Sequence, residues 1–353
     1  MQNRSIFSSE HELFRENARR FFRTELEPNI ERWEKDGIVP KSFWRKAGEN
    51  GFLCCGVPEE YGGPGADFLY NMVLSEETGY AIGGASVGFS VSADIVAYYL
   101  MNAGTEDQKR QWLPNMVTGE TIASIGMTEP GAGSDLKAIR TSAVRDGDEY
   151  VINGQKTYIT NGQNSDFVLL ACVTDPGKGA RGISMIIVET DRPGFERGRN
   201  LDKIGQKAAD TSEMFFQDVR VPVTNLVGQE GEGFAMMMRE LPRERITIAC
   251  RAQAEAQRAF DLTNEYVKER KIFGQALADF QNTQFTLADI KTNLDVGWAF
   301  LDQCIKKCSD GTLTPEEGAM AKLWTTENEG VPAGLFQIPV QASRQVPDRA
   351  DNL

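Results

Sequence analysis

Met127-Thr128-Glu129-Pro130-Gly131-Ala132-Gly133-Ser134-Asp135 gathers hydroxyls, a proline turn, two closely spaced glycines and a Ser-Asp end in one short run. Gly131 and Gly133 let backbone N–H groups approach a ligand without obstruction by a Cβ. Successive N–H groups in such a turn form a concave nest for phosphate oxygens. Thr128 and Ser134 add hydroxyls that donate or accept hydrogen bonds. A glycine-rich loop can also do no more than turn the chain. The length of this string points further, to a large anionic cofactor held by the backbone.

Around this string the chain reads as a soluble globular protein. Its 353 residues are enough for two or three domains with a sizeable core. A formal net charge of −13 argues against a nucleic-acid partner, which requires clustered Lys and Arg. No apolar run is long enough to span a bilayer. The start, Met1-Gln2-Asn3-Arg4-Ser5, lacks the apolar core of a secretory signal or the pattern of a transit peptide, so a bacterial cytoplasm is expected ahead of a mitochondrial matrix. Cys54, Cys55, Cys172, Cys250, Cys304 and Cys308 form no CxxC pair and are expected to be reduced core residues. The single histidine, His11, lies in a helical pattern, so a catalytic triad and a two-histidine metal site are both set aside and no metal is expected.

The composition changes twice along the chain. Residues 8–118 read mainly as helices: Phe14, Ala18, Phe21 and Phe22 share one face, and Ala85–Asn102 carries Val87, Val91, Ile95, Tyr98 and Tyr99 at similar spacing. Thr105 is the expected N-cap of a further helix, with Glu106 and Asp107 in its first turn. Residues 120–225 alternate turn signals (Asp146-Gly147, Asn153-Gly154, Asn161-Gly162, Asp175-Pro176-Gly177) with the β-prone runs Tyr150–Ile152, Phe167–Val173 and Ile183–Val188, which predicts antiparallel β structure. Residues 234–329 return to helix. Ala249, Ala252, Ala256, Ala259, Phe260, Thr263 and Val267 trace an apolar stripe, and Pro315 opens the last helix behind Thr314. The pattern predicts an α+β multidomain chain: a helical domain over 1–119, a middle β-domain over 120–228, a helical domain over 229–329, and an irregular tail over 330–353.

The quoted string resembles the signature of the acyl-CoA dehydrogenase family, and further matches follow in order over roughly residues 8–329. Val57-Pro58-Glu59-Glu60-Tyr61-Gly62-Gly63 is similar to the family's N-terminal loop, and Gly104–Lys109 through Trp112-Leu113-Pro114 to its helix before the β-domain. Thr157-Tyr158-Ile159-Thr160-Asn161-Gly162 resembles the flavin-contacting strand, with Tyr158 where Trp is usual. Arg270-Lys271-Ile272-Phe273-Gly274, with Gln281, resembles the segment that reaches the neighbouring subunit's FAD. The long-chain and isovaleryl-type members are closest in texture.

The resemblance implies roles for individual positions. Met127 and Thr128 would meet the flavin pyrimidine edge. Gly133 and Ser134 would hold the pyrophosphate. Thr160 would hydrogen-bond near flavin N5, and Tyr158 would pack against the ring system. Arg270, Phe273 and Gln281 would serve the FAD of the adjoining subunit. Val91, Ile95 and Tyr99, together with Ser134 and Arg245, are the implied substrate contacts. The implied reaction is FAD-dependent α,β-dehydrogenation of an acyl-CoA thioester to the trans-2-enoyl-CoA. The implied electron acceptor is electron transfer flavoprotein, and the implied assembly a homotetramer.

Such a reaction needs a carboxylate base whose pKa desolvation lifts towards neutrality. In the long-chain and isovaleryl-type members the base lies on a helix of the C-terminal helical domain, in a Glu-Arg context. Leu241-Pro242-Arg243-Glu244-Arg245-Ile246 supplies that context, and Glu244 is the implied base. Its bland reading is a first-turn glutamate favoured by the helix dipole. The tail Gly330–Leu353 does not resemble the family's last helices, its Gly-Gly-x-Gly-Tyr loop or its Gly-Thr turn, so a frameshift or truncation is expected, with a weakened tetramer and partial flavin occupancy. Two alternatives stand beside the dehydrogenase reading: an impaired homologue that only binds acyl-CoA or FAD, and a flavin monooxygenase or oxidase on the same fold.

Overall fold

The computed structural model describes residues 4–328; the irregular tail read over 330–353 lies outside them. The described residues divide into two compact units, one of residues 4–19, 72–81 and 245–328, the other of residues 20–71 and 82–244. Each unit draws on more than one of the three zones seen in the sequence.

The second unit carries the sheet. Its strands are β1 (Ala123–Gly126), β2 (Ser142–Asp146), β3 (Glu149–Thr160), β4 (Phe167–Val173), β5 (Ile183–Glu189), β6 (Phe195–Asn200), β7 (Thr211–Pro222) and β8 (Leu226–Val227). The order is β6-β7-β3-β2-β4-β5-β8, with β1 joined to β4. β4 and β5 are almost continuously apolar and are buried on both faces, which explains their uninterrupted hydrophobic runs. β3 and β7 alternate more, and turn Tyr150, Ile152, Met214, Phe216 and Val219 into the core shared with Val168, Leu170, Ile186 and Val188. Asp146-Gly147 closes the β2–β3 hairpin as its sequence predicts, with Gly147 at φ 64°.

Two sequence expectations for this zone need correction. The sheet is not purely antiparallel: β1 runs parallel to β4, from Ala123 beside Phe167 to Gly126 beside Leu170. Chain segments that lie far apart in sequence make that pairing, so no local turn signal announces it. Asn153-Gly154 is not a turn either. It lies inside β3 at a register shift, where Gly154 adopts φ 152° and a Cβ would stand 2.5 Å from the Thr141 hydroxyl.

Helices α2 (Ile30–Asp36), α3 (Lys41–Glu49), α5 (Ala97–Ala103) and α6 (Glu106–Val117) complete this unit. Phe43 stacks between Phe21 and Phe89 at 5.2 and 5.4 Å, and Trp44 meets Phe89 edge-on at 4.7 Å. Thr105 caps α6 in a capping box with Gln108, as the sequence predicts. The stretch read as one helix over Ala85–Asn102 is more irregular: a tight turn at Gly84–Ser86, then a wide π-wound segment at Ser90–Val96 that runs into α5.

The first unit is helical, built from α1 (Ser9–Phe21), the end of α4 (Phe68–Tyr80), the far part of α7 (Gly233–Glu269), α8 (Gln281–Ser309) and a last helix over 315–328. Thr314 and Glu317 cap that last helix reciprocally, at 3.1 and 3.2 Å. Gly79 lies against the Arg251 carbonyl, where a Cβ would come within 2.4 Å, so glycine permits a close helix crossing. Glu76 is fully buried and bridges Arg4 and Arg15, while Glu77 takes Arg15 and Arg19 at 3.2 and 2.7 Å. Five cysteines are buried and Cys308 is half-exposed, none of them in a disulfide. Burial pushes the Cys172 thiol up to about 12 and the Cys250 thiol well above its ordinary value. Among the described residues no helix is long and apolar enough to cross a membrane.

Candidate active site

The signature string leaves β1 and folds back at once. Glu129 and Ala132 exchange backbone hydrogen bonds of 2.9 and 3.0 Å around Pro130-Gly131. The Glu129 and Ala132 amides are therefore spent within the turn, whereas Gly131, Gly133 and Ser134 are exposed. Gly131 and Gly133 have no left-handed backbone, and a Cβ on either would meet nothing within 4 Å. Neither glycine is demanded by the fold of this chain itself.

Glu129 of the string turns inward to meet Lys156 of β3, and the sequence reading gave neither a role. The Glu129 carboxylate accepts the Arg140 and Thr141 N–H groups at 2.7 and 2.9 Å, and Lys156 Nζ at 2.8 Å. Lys156 also donates to the Met127 carbonyl at 3.0 Å, and the Thr157 N–H to the Thr128 carbonyl at 2.9 Å. Burial opposes ionisation of Glu129, but the hydrogen bonds and charge of Lys156 outweigh it and hold the carboxyl below its usual range. A signal was available: Tyr150, Ile152 and Lys156 share the inward register of β3, and a lysine there requires a buried partner.

Tyr158 follows at a second register shift of β3, with φ 59° and 69% of its surface exposed between buried Thr157 and Ile159. A bulge of this kind re-aims a side chain that the alternation would otherwise place differently. Thr160 is half-buried, as are Met127 and Thr128. Buried Asn161 locks the end of the strand, its amide donating to the carbonyls of Gly88 and Ala123 at 3.0 and 3.2 Å.

Glu244 lies well inside α7, not in its first turn, which removes the helix-dipole reading. It is 7% exposed. Tyr99 of α5 is buried beside it: burial, then the charges of Glu244 and Glu240, push the Tyr99 phenol far up, against Arg243. The Arg243 guanidinium stands 3.6 Å above the Tyr98 ring and donates to the Asp94 carbonyl at 2.5 Å. Glu240 lies 3.6 Å from Arg243 and accepts the Asn102 amide at 2.9 Å. Asp94 is buried in the π-wound segment and accepts from Asn71. Burial pushes its carboxyl up to about 6 against the opposing pull of Arg243 and Asn71.

The structure thus brings Tyr99 and Glu244 together, as two of the sequence candidates. Val91 and Ile95, half-buried, precede Tyr99 at four-residue steps, and Ser134 lies on the signature loop. Arg245 is half-buried and begins the portion of α7 that belongs to the other unit. Asp94, Asn71 and Glu240 were not read from the sequence, because a polar residue in a helical stretch gives no sign of its burial.

In the helical unit, Arg270 is exposed just past the end of α7, ahead of β9 (Lys271–Ile272) and β10 (Gln275–Ala276). Ile272 pairs with Gln275, so Phe273 and Gly274 form a two-residue turn, with φ 52° and 81°. Such a turn favours Asn-Gly, yet here it presents a phenylalanine that is 94% exposed. Gln281 is exposed at the start of α8. Among the described residues no cluster of His, Cys, Asp and Glu could hold a metal ion.

Comparison with known proteins adds to this geometry. Family models for the N-terminal, middle and C-terminal domains of acyl-CoA dehydrogenase match residues 8–120, 124–219 and 231–329. The mitochondrial long-chain specific acyl-CoA dehydrogenase of Rattus norvegicus is 44% identical over 326 residues, 92% of this chain and 76% of the relative. An acyl-CoA dehydrogenase from Geobacillus kaustophilus superposes with a TM-score of 0.94 at 46% identity, over 98% of this chain and 91% of that one. A glutaryl-CoA dehydrogenase from Mycobacterium smegmatis, in complex with FADH2, gives a TM-score of 0.89 at 27% identity, over 98% and 88% of the two chains.

Proposed function

The chain belongs to the acyl-CoA dehydrogenase family of oxidoreductases, and on that premise we propose that Glu244 is the base that removes a proton from the α-carbon of an acyl-CoA thioester. The product is the trans-2-enoyl-CoA. The observation that carries this reading is a carboxylate buried in mid-helix and faced by the Tyr99 phenol. A buried carboxylate is a better base than an exposed one, because the environment opposes its charge.

The residues present fit FAD. Open space over Gly131 and Gly133, the exposed hydroxyl of Ser134 and an aromatic ring displayed on a bulge suit a group that is both anionic and flat. Met127, Thr128, Gly133, Ser134, Tyr158 and Thr160 would hold it, and Arg270, Phe273 and Gln281 would serve the FAD of a second copy in a homo-oligomer. When bound, FAD supplies a two-electron acceptor for the hydride of the β-carbon. Gly133 and Ser134 would supply N–H groups to its pyrophosphate, Tyr158 would pack against its ring, and Val91, Ile95 and Tyr99, with Ser134 and Arg245, would contact the acyl-CoA. Glu244 holds the abstracted proton at a carboxyl oxygen. Electron transfer flavoprotein is the proposed electron acceptor, and the bacterial cytoplasm, or a mitochondrial matrix, the proposed setting.

The test is anaerobic. FAD-reconstituted protein mixed with acyl-CoA should lose its flavin absorbance, whereas Glu244→Gln should bind FAD equally well and keep its colour. Bleaching at the native rate in the variant would refute the assignment. A native protein that binds acyl-CoA without bleaching would be an impaired scaffold; one reduced only by a non-thioester and then rapidly reoxidised by oxygen would be an oxidase or monooxygenase.

A further inference from the structure

We propose that the buried Lys156–Glu129 pair is a positioning device that sets the direction of the Met127–Thr128 peptide, and through it the donor presented to the flavin pyrimidine edge; this rests on the FAD reading above. The argument begins with peptide geometry. The carbonyl of Met127 and the N–H of Thr128 belong to one planar trans unit and point in opposite directions. Lys156 Nζ, on a side chain with no exposed surface, holds that carbonyl at 3.0 Å. The Thr128 N–H is thereby turned away from the core.

Glu129 fixes the lysine in turn. It takes Nζ at 2.8 Å while also accepting the Arg140 and Thr141 N–H groups. The next carbonyl, of Thr128, is pinned by Thr157 of the same strand. Two successive peptides of the string are thus held by β3, one by a charged side chain and one by the backbone.

Stability alone gives little reason to bury such a pair. Replacing a buried ion pair by neutral groups of similar volume is often neutral or favourable to folding, because desolvation consumes the Coulombic gain. What a neutral packing residue cannot do is hold a carbonyl in a fixed direction. An oriented N–H is worth most against developing negative charge, since it needs no reorganisation at the moment charge appears.

Lys156→Met and the double variant Lys156→Met/Glu129→Gln test the proposal; the second removes both charges yet keeps an acceptor oxygen for one of the Arg140 and Thr141 amides. FAD affinity of the apoprotein is measured by flavin fluorescence quenching, the flavin midpoint potential by titration, and apoprotein folding by circular dichroism. The expected result is at least a tenfold loss of FAD affinity and a more negative potential in both variants, with the apoprotein fold retained in the double variant. Native affinity and potential in either folded variant would overturn the proposal. Loss of folding in both would assign the pair to stability and overturn it equally. Failure of the unmodified apoprotein to bind FAD would instead refute the FAD reading.

Discussion

Asp94 illustrates what a single buried carboxyl does to a folded chain. Its neighbours are the Asn71 amide and the Arg243 guanidinium, and burial still wins, raising it from 3.8 to about 6. Because the folded-state value lies above the unfolded one, the stability it contributes is complete below about pH 4. That contribution is lost as pH climbs through about 6. Asp94→Asn should therefore stabilise the protein above pH 6, by up to about 3 kcal/mol, and by progressively less towards pH 4. Urea unfolding across that range checks it; a pH-independent difference would show that Asp94 is not held in its neutral form. Nothing in the sequence marked this residue. Glu244 could be named as a candidate through its Glu-Arg context, and Lys156 could have been through the inward register of β3, whereas Asp94 acquires its character only when distant segments exclude water from it.

At the scale of elements, the short local signals were the readable ones. Thr105 before Glu106-Asp107, Asp146-Gly147 between strands, and Pro315 behind Thr314 all act within a few residues, and the structure places a cap, a hairpin and a helix start there. The π-wound segment at Ser90–Val96, the parallel β1 and the bulge at Gly154 depend on what packs against them, so propensity could not show them. The β9–β10 hairpin is a further case. Phe273 occupies a left-handed conformation that costs a non-glycine residue about 1 kcal/mol or more. Phe273→Asn should relieve it and raise the thermal midpoint of the apoprotein modestly, while lowering flavin content, since the aromatic tip is the part proposed to reach a second copy. A variant with lower thermal stability would mean that the ring packs within its own chain.

At the scale of the molecule, the helical unit is assembled from three stretches far apart in sequence, closed by charges as well as apolar side chains. Glu76 gathers Arg4 and Arg15 from the N-terminal stretch, and Arg4 also donates to Asp302 at 2.8 Å. The order helices, strands, helices was legible along the chain, but the grouping into two compact units was not, because it depends on contacts between stretches that sequence pattern treats separately. Which groups are sealed in each unit has a practical meaning.

Cys172 lies in β4 of one unit and Cys250 in the part of α7 that belongs to the other, both buried and with their thiols pushed up by that burial. The thiolate is the nucleophile that attacks an alkylating reagent, so neither residue should react until its surroundings open. Iodoacetamide should mark Cys308 first, and peptide mass spectrometry should then time Cys172 and Cys250 separately. Different rates would mean that each half breathes alone, and identical ones that the molecule opens all at once: the native chain already carries its own chemical stopwatches, buried thiols in each half.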